Sequence, residues 1–288
     1  MKIFNSQLLF HLLVAVAISS SLSSCQKKFD AASYAPEKPF GGYNSSKEIA
    51  PGNLVAYWSF EGSVTDSAGG LTGTNNGTTF LAKGEKGQAL QVGGSNYYLF
   101  NNPGTVLPNL KAFTVAFWMN SAQNTSYAYG IFSLNNPNDF WGSLDIYIDN
   151  GGTADSAQFK CHFNTNGNGQ FQGVKIGKAW NQWVHMVITY DSSMTTSSNF
   201  NIYQNGSVVY STLLKNGSAN LGPITFPGPT AMVLGTWQFQ TNPSLTNSAT
   251  AQPWAGSFAG ALDEFRIYDK ALKAGDVNAL FKLEAAGR

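Results

Sequence analysis

The sequence predicts an all-β fold, a two-sheet antiparallel sandwich with one short helix near the C-terminus. Of its 288 residues only 11% are charged, whereas 14% are aromatic and 30 are glycine. This composition suits strands joined by turns and disfavours long solvated helices, which need Lys, Glu and Arg on one face. From residue 54 onward, short apolar runs alternate with clusters of Gly, Asn and Asp. The 17 basic and 16 acidic residues nearly cancel, so no nucleic acid partner is expected.

Residues 1–24 are predicted to be a signal peptide. Lys2 precedes an apolar run over 8–18, which is shorter than the ~20 residues of a membrane span but has the length of a secretory hydrophobic region. The run is followed by Leu22-Ser23-Ser24-Cys25, which resembles the lipobox of bacterial lipoproteins. The resemblance implies cleavage before Cys25 and acylation of its thiol and of the new amino terminus. The alternative is an ordinary signal peptide that is cleaved near the serines.

The lipoprotein resemblance also implies a location. Gln26, rather than Asp, follows the cysteine, and in lipoprotein sorting this implies the outer membrane of a bacterial envelope, with the periplasmic or surface face left open. The protein would then contact the membrane only by its lipid anchor, because several acyl chains give stable attachment. With Cys25 lipidated, Cys161 is the only other cysteine, so no internal disulfide is expected.

Two further segments are predicted from composition and periodicity. Residues 25–50 form the lipidated cysteine and a flexible tether rich in Lys, Ser, Pro and Gly, and residues 51–288 form one β-domain. Asn205-Gly206 is typical of a type I′ hairpin turn, and an amphipathic helix is predicted over 274–283. The clearest predicted strands are 54–60, 89–92, 97–100, 113–119, 129–134, 144–148, 158–163, 183–190, 200–204, 207–210, 231–236 and 260–268.

Seven sequence motifs, in a fixed order, carry a family resemblance. Trp58-Ser59-Phe60-Glu61-Gly62 and Asp66-Ser67-Ala68-Gly69 come first, and Leu262-Asp263-Glu264-Phe265-Arg266-Ile267-Tyr268 comes last. The intervening motifs lie at 87–92, 113–119, 183–191 and 202–206. Together they resemble bacterial laminin-G-like domains of the concanavalin A-like lectin/glucanase group. The resemblance implies a jelly-roll sandwich whose first and last strands are neighbours, and a role in binding carbohydrate, binding protein or assisting an enzyme.

The last motif has a polar residue at a position that should face the core. Alternation along the strand places Asp263 on the same face as Phe265 and Ile267. Leu262 and Arg266 would then lie on the opposite face. A carboxylate directed at a core needs a hydrogen-bond or charge partner, because an isolated buried charge is very costly.

Enzyme activity is not predicted, although a glycosidase or other hydrolase is the alternative. Glycosidases with this sandwich use paired carboxylates on one strand, and the six glutamates of this chain are too dispersed to form such a pair. Asp145 and Asp149 share a strand face but would lie about 13 Å apart, whereas a retaining pair needs ~5–5.5 Å. Cys161 and His162 are adjacent, so they point to opposite faces and would not form a dyad.

Loops rich in aromatic and amide side chains predict carbohydrate binding, since sugar rings stack on aromatic rings and amides hydrogen-bond to hydroxyls. The alternative is that these aromatics pack the loops onto the sandwich edge. A structural or protein-interaction lipoprotein, accessory to an outer-membrane complex, is the alternative function. The candidate sugar contacts are Tyr127, Tyr129, Asn138, Asp139, Phe140, Trp141, Trp237 and Trp254.

The family resemblance also implies one structural Ca²⁺. Asp66 and Asp263 occupy the matching positions, and glycine-rich loops nearby could supply carbonyl oxygens, which Ca²⁺ accepts readily. The alternative is that Asp66 caps its own turn and that Asp263 accepts hydrogen bonds from backbone or arginine.

Overall fold

A computed structural model describes residues 39–165, 167–193 and 197–288. The predicted signal peptide, Cys25 and the first part of the predicted tether lie outside the described residues. Within the described part, no helix is both long enough and apolar enough to cross a membrane.

The chain folds almost entirely into strands. The single α-helix, α1, spans Ala274–Ala285, and short 3-10 turns lie at Ser46–Glu48, Pro51–Asn53 and Leu107–Asn109. The strands are β1 Leu54–Trp58, β2 Thr74–Asn76, β3 Thr79–Leu81, β4 Ala89–Val92, β5 Tyr97–Phe100, β6 Phe113–Ser121, β7 Ala128–Leu134, β8 Leu144–Thr153, β9 Ser156–Thr165, β10 Asn168–Gly177, β11 Val184–Tyr190, β12 Phe200–Gln204, β13 Ser207–Thr212, β14 Lys215–Asn216, β15 Ala219–Asn220, β16 Met232–Leu234, β17 Ala255–Ser257 and β18 Gly260–Tyr268.

Two eight-stranded sheets form the sandwich. The first sheet has the order β13-β12-β11-β6-β18-β4-β3, with β1 also paired to β18. The second has the order β10-β9-β8-β7-β16-β5-β2, with β17 added parallel to β7. The first and last strands, β1 and β18, are neighbours, since Leu54 pairs with Tyr268 and Trp58 with Phe265. The predicted all-β jelly-roll sandwich with one C-terminal helix is therefore confirmed.

Aromatic side chains from both sheets fill the space between them. Phe117 of the first sheet stacks on Phe265 at 5.1 Å between ring centroids and meets Phe159 of the second sheet at 6.4 Å. Trp58 is fully buried and packs on Phe100 at 5.3 Å. Interdigitation of this kind, across two alternating strand faces, holds a sandwich together without disulfides.

A second apolar layer covers the outer face of the first sheet, and it corrects the predicted tether. Ile49, 1% exposed, packs with Leu280 of α1 against Tyr268 and Val187 of the sheet. The backbone N–H and hydroxyl of Ser46 both donate to the carbonyl oxygen of the terminal residue, at 3.4 and 2.7 Å. The prediction of a flexible spacer is therefore wrong for residues 39–50, because Ile49 and its neighbours supply the apolar contacts that composition alone did not reveal.

Two strands depart from the sequence prediction. β10 is absent from the predicted strands, because glycine and asparagine dilute its apolar pattern. In β18 the bounds agree, but the register shifts between Asp263 and Arg266 and Glu264 has a φ of +49°. This bulge inserts an extra residue, so Leu262 joins the central core, contrary to the face that strict alternation predicts.

The hairpin between β12 and β13 follows the sequence closely. Asn205 and Gly206 both have positive φ, 48° and 75°, as the predicted two-residue turn requires. The Asn205 side chain also accepts a hydrogen bond from His185 N at 2.9 Å.

Candidate functional site

Aromatic side chains gather on the outer face of the second sheet. Tyr147 projects from β8, and Trp237 covers it at 4.6 Å between ring centroids. Phe140 stacks on Phe239 at 4.6 Å, and Trp254 contacts Trp237 at 5.7 Å. We call this set the outer aromatic cluster: Phe140, Trp141, Tyr147, Phe171, Trp237, Phe239 and Trp254.

A buried amide fixes the loops that carry the cluster. Gln238 is fully buried, and its Nε2 donates to the carbonyl oxygens of Asp139 and Phe140, both at 2.9 Å. Its Oε1 accepts from Asn136 N at 2.7 Å. Because all these partners are backbone groups, the loop between β7 and β8 is locked to the segment after β16, and the aromatic rings are held in a defined arrangement.

The aromatic residues of the predicted site differ in exposure. Trp254 is 38% exposed and Tyr127 is 48% exposed, while Phe140 and Trp141 are half-buried. Trp237 is 1% exposed, and its Nε1 donates to the carbonyl oxygen of Ala128 at 3.1 Å. The expectation that Trp237 contacts a sugar is therefore wrong, because both its ring faces are covered and its N–H is already bonded.

The polar residues of the predicted site also divide. Asn138 is exposed, and its backbone N–H donates to the Asn136 side chain at 3.1 Å. Asp139 is half-buried, and its carboxylate accepts from Trp141 N at 3.4 Å and from Asn164 Nδ2 at 3.5 Å. Asn138 is therefore oriented outward beside the cluster, whereas Asp139 mainly shapes the loop.

Phe171 is an exposed aromatic that the sequence analysis did not single out. It lies on β10, is 51% exposed, and meets Trp141 edge-on at 5.2 Å. The signal was present in the sequence, since Phe171 stands between two glutamines. It was missed because the sequence analysis did not predict strand β10, whose pairing with β9 fixes the position of Phe171.

A cleft of about 570 Å³ opens at one end of the sandwich, next to the cluster. Its lining includes Ser95, Tyr127, Tyr129, Gln240 and Ser257, and the other lining residues are glycines and alanines. We call it the end cleft. Trp254 adjoins it, because the Trp254 carbonyl accepts from Ala128 N at 2.9 Å and the next residue, Ala255, belongs to the lining. The end cleft thus unites the two predicted tyrosines and lies beside the exposed tryptophan.

The strand carboxylates beneath the cluster are committed to structural contacts. Asp145 is buried and accepts from Ser133 Oγ at 2.5 Å and from Gly142 N at 2.8 Å. Asp149 accepts from Lys160 Nζ at 2.5 Å.

Cys161 lies in the central core, where burial raises the pKa of its thiol. His162 lies on the opposite face of the same strand, as alternation predicts, and its ring contacts that of Phe171 at 4.2 Å between centroids.

Asp66 forms the turn after β1. Its Oδ1 accepts from the backbone N–H groups of Tyr57, Ala68 and Gly69 at 2.8–3.0 Å. Its Oδ2 accepts from Gly69 and Leu71 at 3.0 and 3.2 Å. An oxygen surrounded by amide hydrogens faces partial positive charge, so this carboxylate is poorly arranged to bind a cation.

Asp263 has a similar environment. Its two oxygens accept from the backbone N–H groups of Lys86 and Glu264, at 2.9 and 2.8 Å. Burial raises the pKa of this carboxyl to about 8, although the Lys86 hydrogen bond acts in the opposite direction. In the described part of the chain, no group of three or more His, Cys, Asp or Glu side chains is placed to hold a metal ion. The donor set does not fit Ca²⁺ as arranged, and the calcium hypothesis stays a prediction.

A buried ionic network occupies the outer face of the first sheet. Glu264 Oε2 accepts from Tyr57 Oη at 2.8 Å and from Arg266 Nη2 at 2.6 Å. Arg266 also pairs with Glu284 of α1, whose other oxygen accepts from Trp118 Nε1 at 2.8 Å. These carboxylates are matched by cations and donors within the fold, as buried charges must be.

The chain belongs to the concanavalin A-like lectin/glucanases superfamily, whose family pattern it matches over residues 92–278. A search of curated proteins found no match. Among solved structures, domain 4 of AbnA, a GH43 extracellular arabinanase from Geobacillus stearothermophilus in complex with arabinotriose, is similar at 21% identity with a TM-score of 0.53. That match covers 79% of this chain and 98% of that domain.

Receptor-binding domains of botulinum neurotoxins are also similar. The type G domain has 16% identity and a TM-score of 0.55, with 80% of this chain and 51% of that chain covered. A type C structure, titled for its interaction with two ganglioside molecules, has 15% identity and a TM-score of 0.57, with 83% and 53% covered. The chain spans about half the length of these neurotoxin chains. At such identities the likeness shows the fold alone.

Proposed function

We propose that this protein is a lipid-anchored component of a bacterial outer membrane that binds carbohydrate without transforming it. The observation that carries the proposal is the end cleft beside the outer aromatic cluster, where Tyr127 and Trp254 expose large parts of their rings. Exposed aromatic faces beside hydroxyl and amide groups suit sugar rings, whose C–H faces stack while their hydroxyls hydrogen-bond. The similar arabinanase domain, solved with arabinotriose, lends support from a relative of the same fold.

The noncatalytic part of the proposal rests on the carboxylates. Glycoside hydrolysis needs two of them facing one substrate. Asp145 is buried under hydrogen bonds to Ser133 and Gly142, and Asp149 is paired with Lys160. Glu264 and Glu284 are buried in the ionic network on the other sheet. None of these four faces the end cleft.

The lipid anchor rests on the sequence Leu22-Ser23-Ser24-Cys25 after an apolar run. Cys161 is buried in the core, so its thiol is not accessible for acylation. Anchoring by Cys25 would hold the sugar-binding domain at the envelope, where polysaccharide is encountered.

A glycan array probed with the purified full-length protein in detergent tests the function. We expect selective binding to a polysaccharide, and we expect Trp254→Ala to weaken it. Val208→Ala is the matched control, because Val208 is 47% exposed on β13 of the other sheet and should leave binding unchanged. An array without binding, together with co-purification of an outer-membrane protein, would instead favour the protein-interaction function.

A further inference from the structure

The end cleft carries a further inference about the class of sugar. Its walls are already fixed in the free protein. Gln240 Nε2 donates to the carbonyl oxygens of Gln252 and Ala255 at 3.1 and 2.5 Å, and its Oε1 accepts from Gln252 N at 3.0 Å. Tyr127 also belongs to the lining, and its carbonyl oxygen accepts from Asn124 Nδ2 at 3.0 Å. A preformed wall lowers the entropy lost when a ligand binds.

The lining combines aromatic rings with free hydroxyl groups. The hydroxyls of Tyr127 and Tyr129 have no hydrogen-bond partner among the described residues. The Tyr129 side chain packs against the core, whereas Tyr127 is 48% exposed. Burial raises the pKa of the Tyr129 hydroxyl, so it keeps its proton and can donate as well as accept. The volume of about 570 Å³ lies within the ~300–1,000 Å³ of small-ligand sites.

The lining contains no charged side chain among the residues that the structure describes. A second cleft of about 580 Å³ provides the contrast, because Lys47, Lys86, Glu61 and Glu264 line it. A carboxylated or sulfated sugar that leaves water needs a cation or several donors to replace its hydration. The end cleft offers hydroxyls, small residues and ring faces, which match an uncharged polyol.

We propose that the end cleft is the principal sugar-contacting site and that it selects neutral oligosaccharides over those bearing carboxylate or sulfate groups. In this site the Tyr127 ring stacks on a sugar face and the Tyr129 hydroxyl bonds to a sugar hydroxyl. This inference rests on the proposed carbohydrate-binding function and adds to it the location and the ligand class.

Calorimetric titration of the full-length protein with matched ligands tests the inference. The probes are gluco-, galacto- and manno-oligosaccharides and the same oligosaccharides oxidised at C6 to uronic acids. We expect at least one neutral probe to bind, its oxidised form to bind about tenfold more weakly or not at all, and a Kd that is insensitive to NaCl, because no ion pair forms.

Three variants locate the site. Tyr127→Ala should weaken binding about tenfold through lost stacking, and Tyr129→Phe severalfold through one lost hydrogen bond. Phe171→Ala tests whether the outer aromatic cluster binds instead, because Phe171 is equally exposed but lies on β10, outside the end cleft. Val208→Ala is the control, because Val208 is 47% exposed on β13 of the other sheet and should leave binding unchanged. Melting temperatures of the variants should match that of the natural protein, since Tyr127 is half exposed.

The outcomes separate the two proposals. Stronger binding of the oxidised forms, or binding lost in Phe171→Ala and retained in Tyr127→Ala, would overturn the neutral-sugar site while leaving carbohydrate binding intact. No binding to any of these probes, with no binding on the wider array, would overturn both.

Discussion

Trp237 and Trp254 belong to one cluster but have different roles. Trp237 is 1% exposed with its indole N–H bonded to a backbone carbonyl, whereas Trp254 leaves 38% of its surface to solvent. Both stand in loops beside amide residues, so sequence pattern alone gives them the same interpretation. The difference arises from tertiary packing: Trp237 packs on Tyr147 and is buried, whereas Trp254 remains accessible to solvent.

Substitution of Trp237 should therefore mainly reduce stability, whereas substitution of Trp254 should mainly reduce the affinity for sugar. Trp237→Ala should lower the free energy of unfolding by about 3–5 kcal/mol, because a large buried side chain leaves a cavity. Trp254→Ala should cost much less stability, yet lower the affinity for sugar by about 1–2 kcal/mol if its ring stacks. Urea denaturation and titration measure the two quantities. Equal losses of stability in both variants would contradict the assignment.

The calcium hypothesis depends on Asp66 and Asp263. Since their oxygens accept backbone amide hydrogens, we expect the melting temperature to be the same in millimolar calcium and in EGTA. A bound ion would stabilise the folded state by mass action. A melting temperature that falls in EGTA, with the difference abolished in Asp263→Ala, would support calcium binding instead.

At the scale of elements, β18 agrees with its predicted bounds but not with its predicted faces. The apolar residues over 260–268 predict the extent of this strand. The bulge at Glu264 arises because the strand pairs with both β1 and β6, and this pairing cannot be derived from the local sequence. β10 was missed for a related reason. Its glycines give no alternation, and the strand exists because β9 offers it a ten-residue ladder.

The bulge predicts a pH dependence of stability. The native state keeps the Asp263 proton up to a pKa of about 8, whereas the unfolded chain loses it near 3.8. Between these values the unfolded state binds fewer protons, so stability falls as pH rises. Burial lowers the pKa of His185 to about 3, which has the opposite effect, but only below its ordinary value near 6.5.

Comparison of the natural protein with Asp263→Asn above the His185 range isolates the contribution of Asp263. From about pH 6.5 to about pH 8 the free energy of unfolding should fall by up to about 1.4 kcal/mol per pH unit in the natural protein, and less in the variant. Urea denaturation across this interval measures the difference. Parallel profiles for the two proteins would show that Asp263 is ionised in the native state.

At the scale of the whole molecule, the sandwich was predictable because ordered motifs mark its strands. The layers on the outer faces of the two sheets were not predictable in this way. The layer of α1 and residues 40–54 is built from apolar residues too widely spaced to show a period, such as Phe40, Tyr43 and Ile49. Their partners in α1 lie more than two hundred positions away in the sequence, so only the folded chain brings them together.

Ile49→Ala tests whether this layer belongs to the folded domain. A fully buried isoleucine truncated to alanine should lower the free energy of unfolding by about 2–5 kcal/mol. Lys47→Ala is the control, because Lys47 is exposed in the same segment and should change stability little. If both variants unfold like the natural protein, the segment would be the flexible spacer that its composition suggests.

Lipid attachment is tested in growing cells. Labelled palmitate should be incorporated into the natural protein, because Cys25 stands at the end of a lipobox-like sequence. Cys25→Ala should lose the label, and Cys161→Ala should keep it. Label retained in Cys25→Ala would contradict the anchor.

The bonds between residues 44–46 and Arg288 have a mechanical consequence. Ser46 donates to the Arg288 carbonyl, and Arg288 Nε donates to the Asn44 carbonyl at 2.9 Å. A tensile force applied to the chain at residue 39 therefore reaches these bonds and Ile49 before it reaches β1. The contacts of residues 40–50 with α1 and Arg288 must therefore break before β1 can be pulled away from the first sheet.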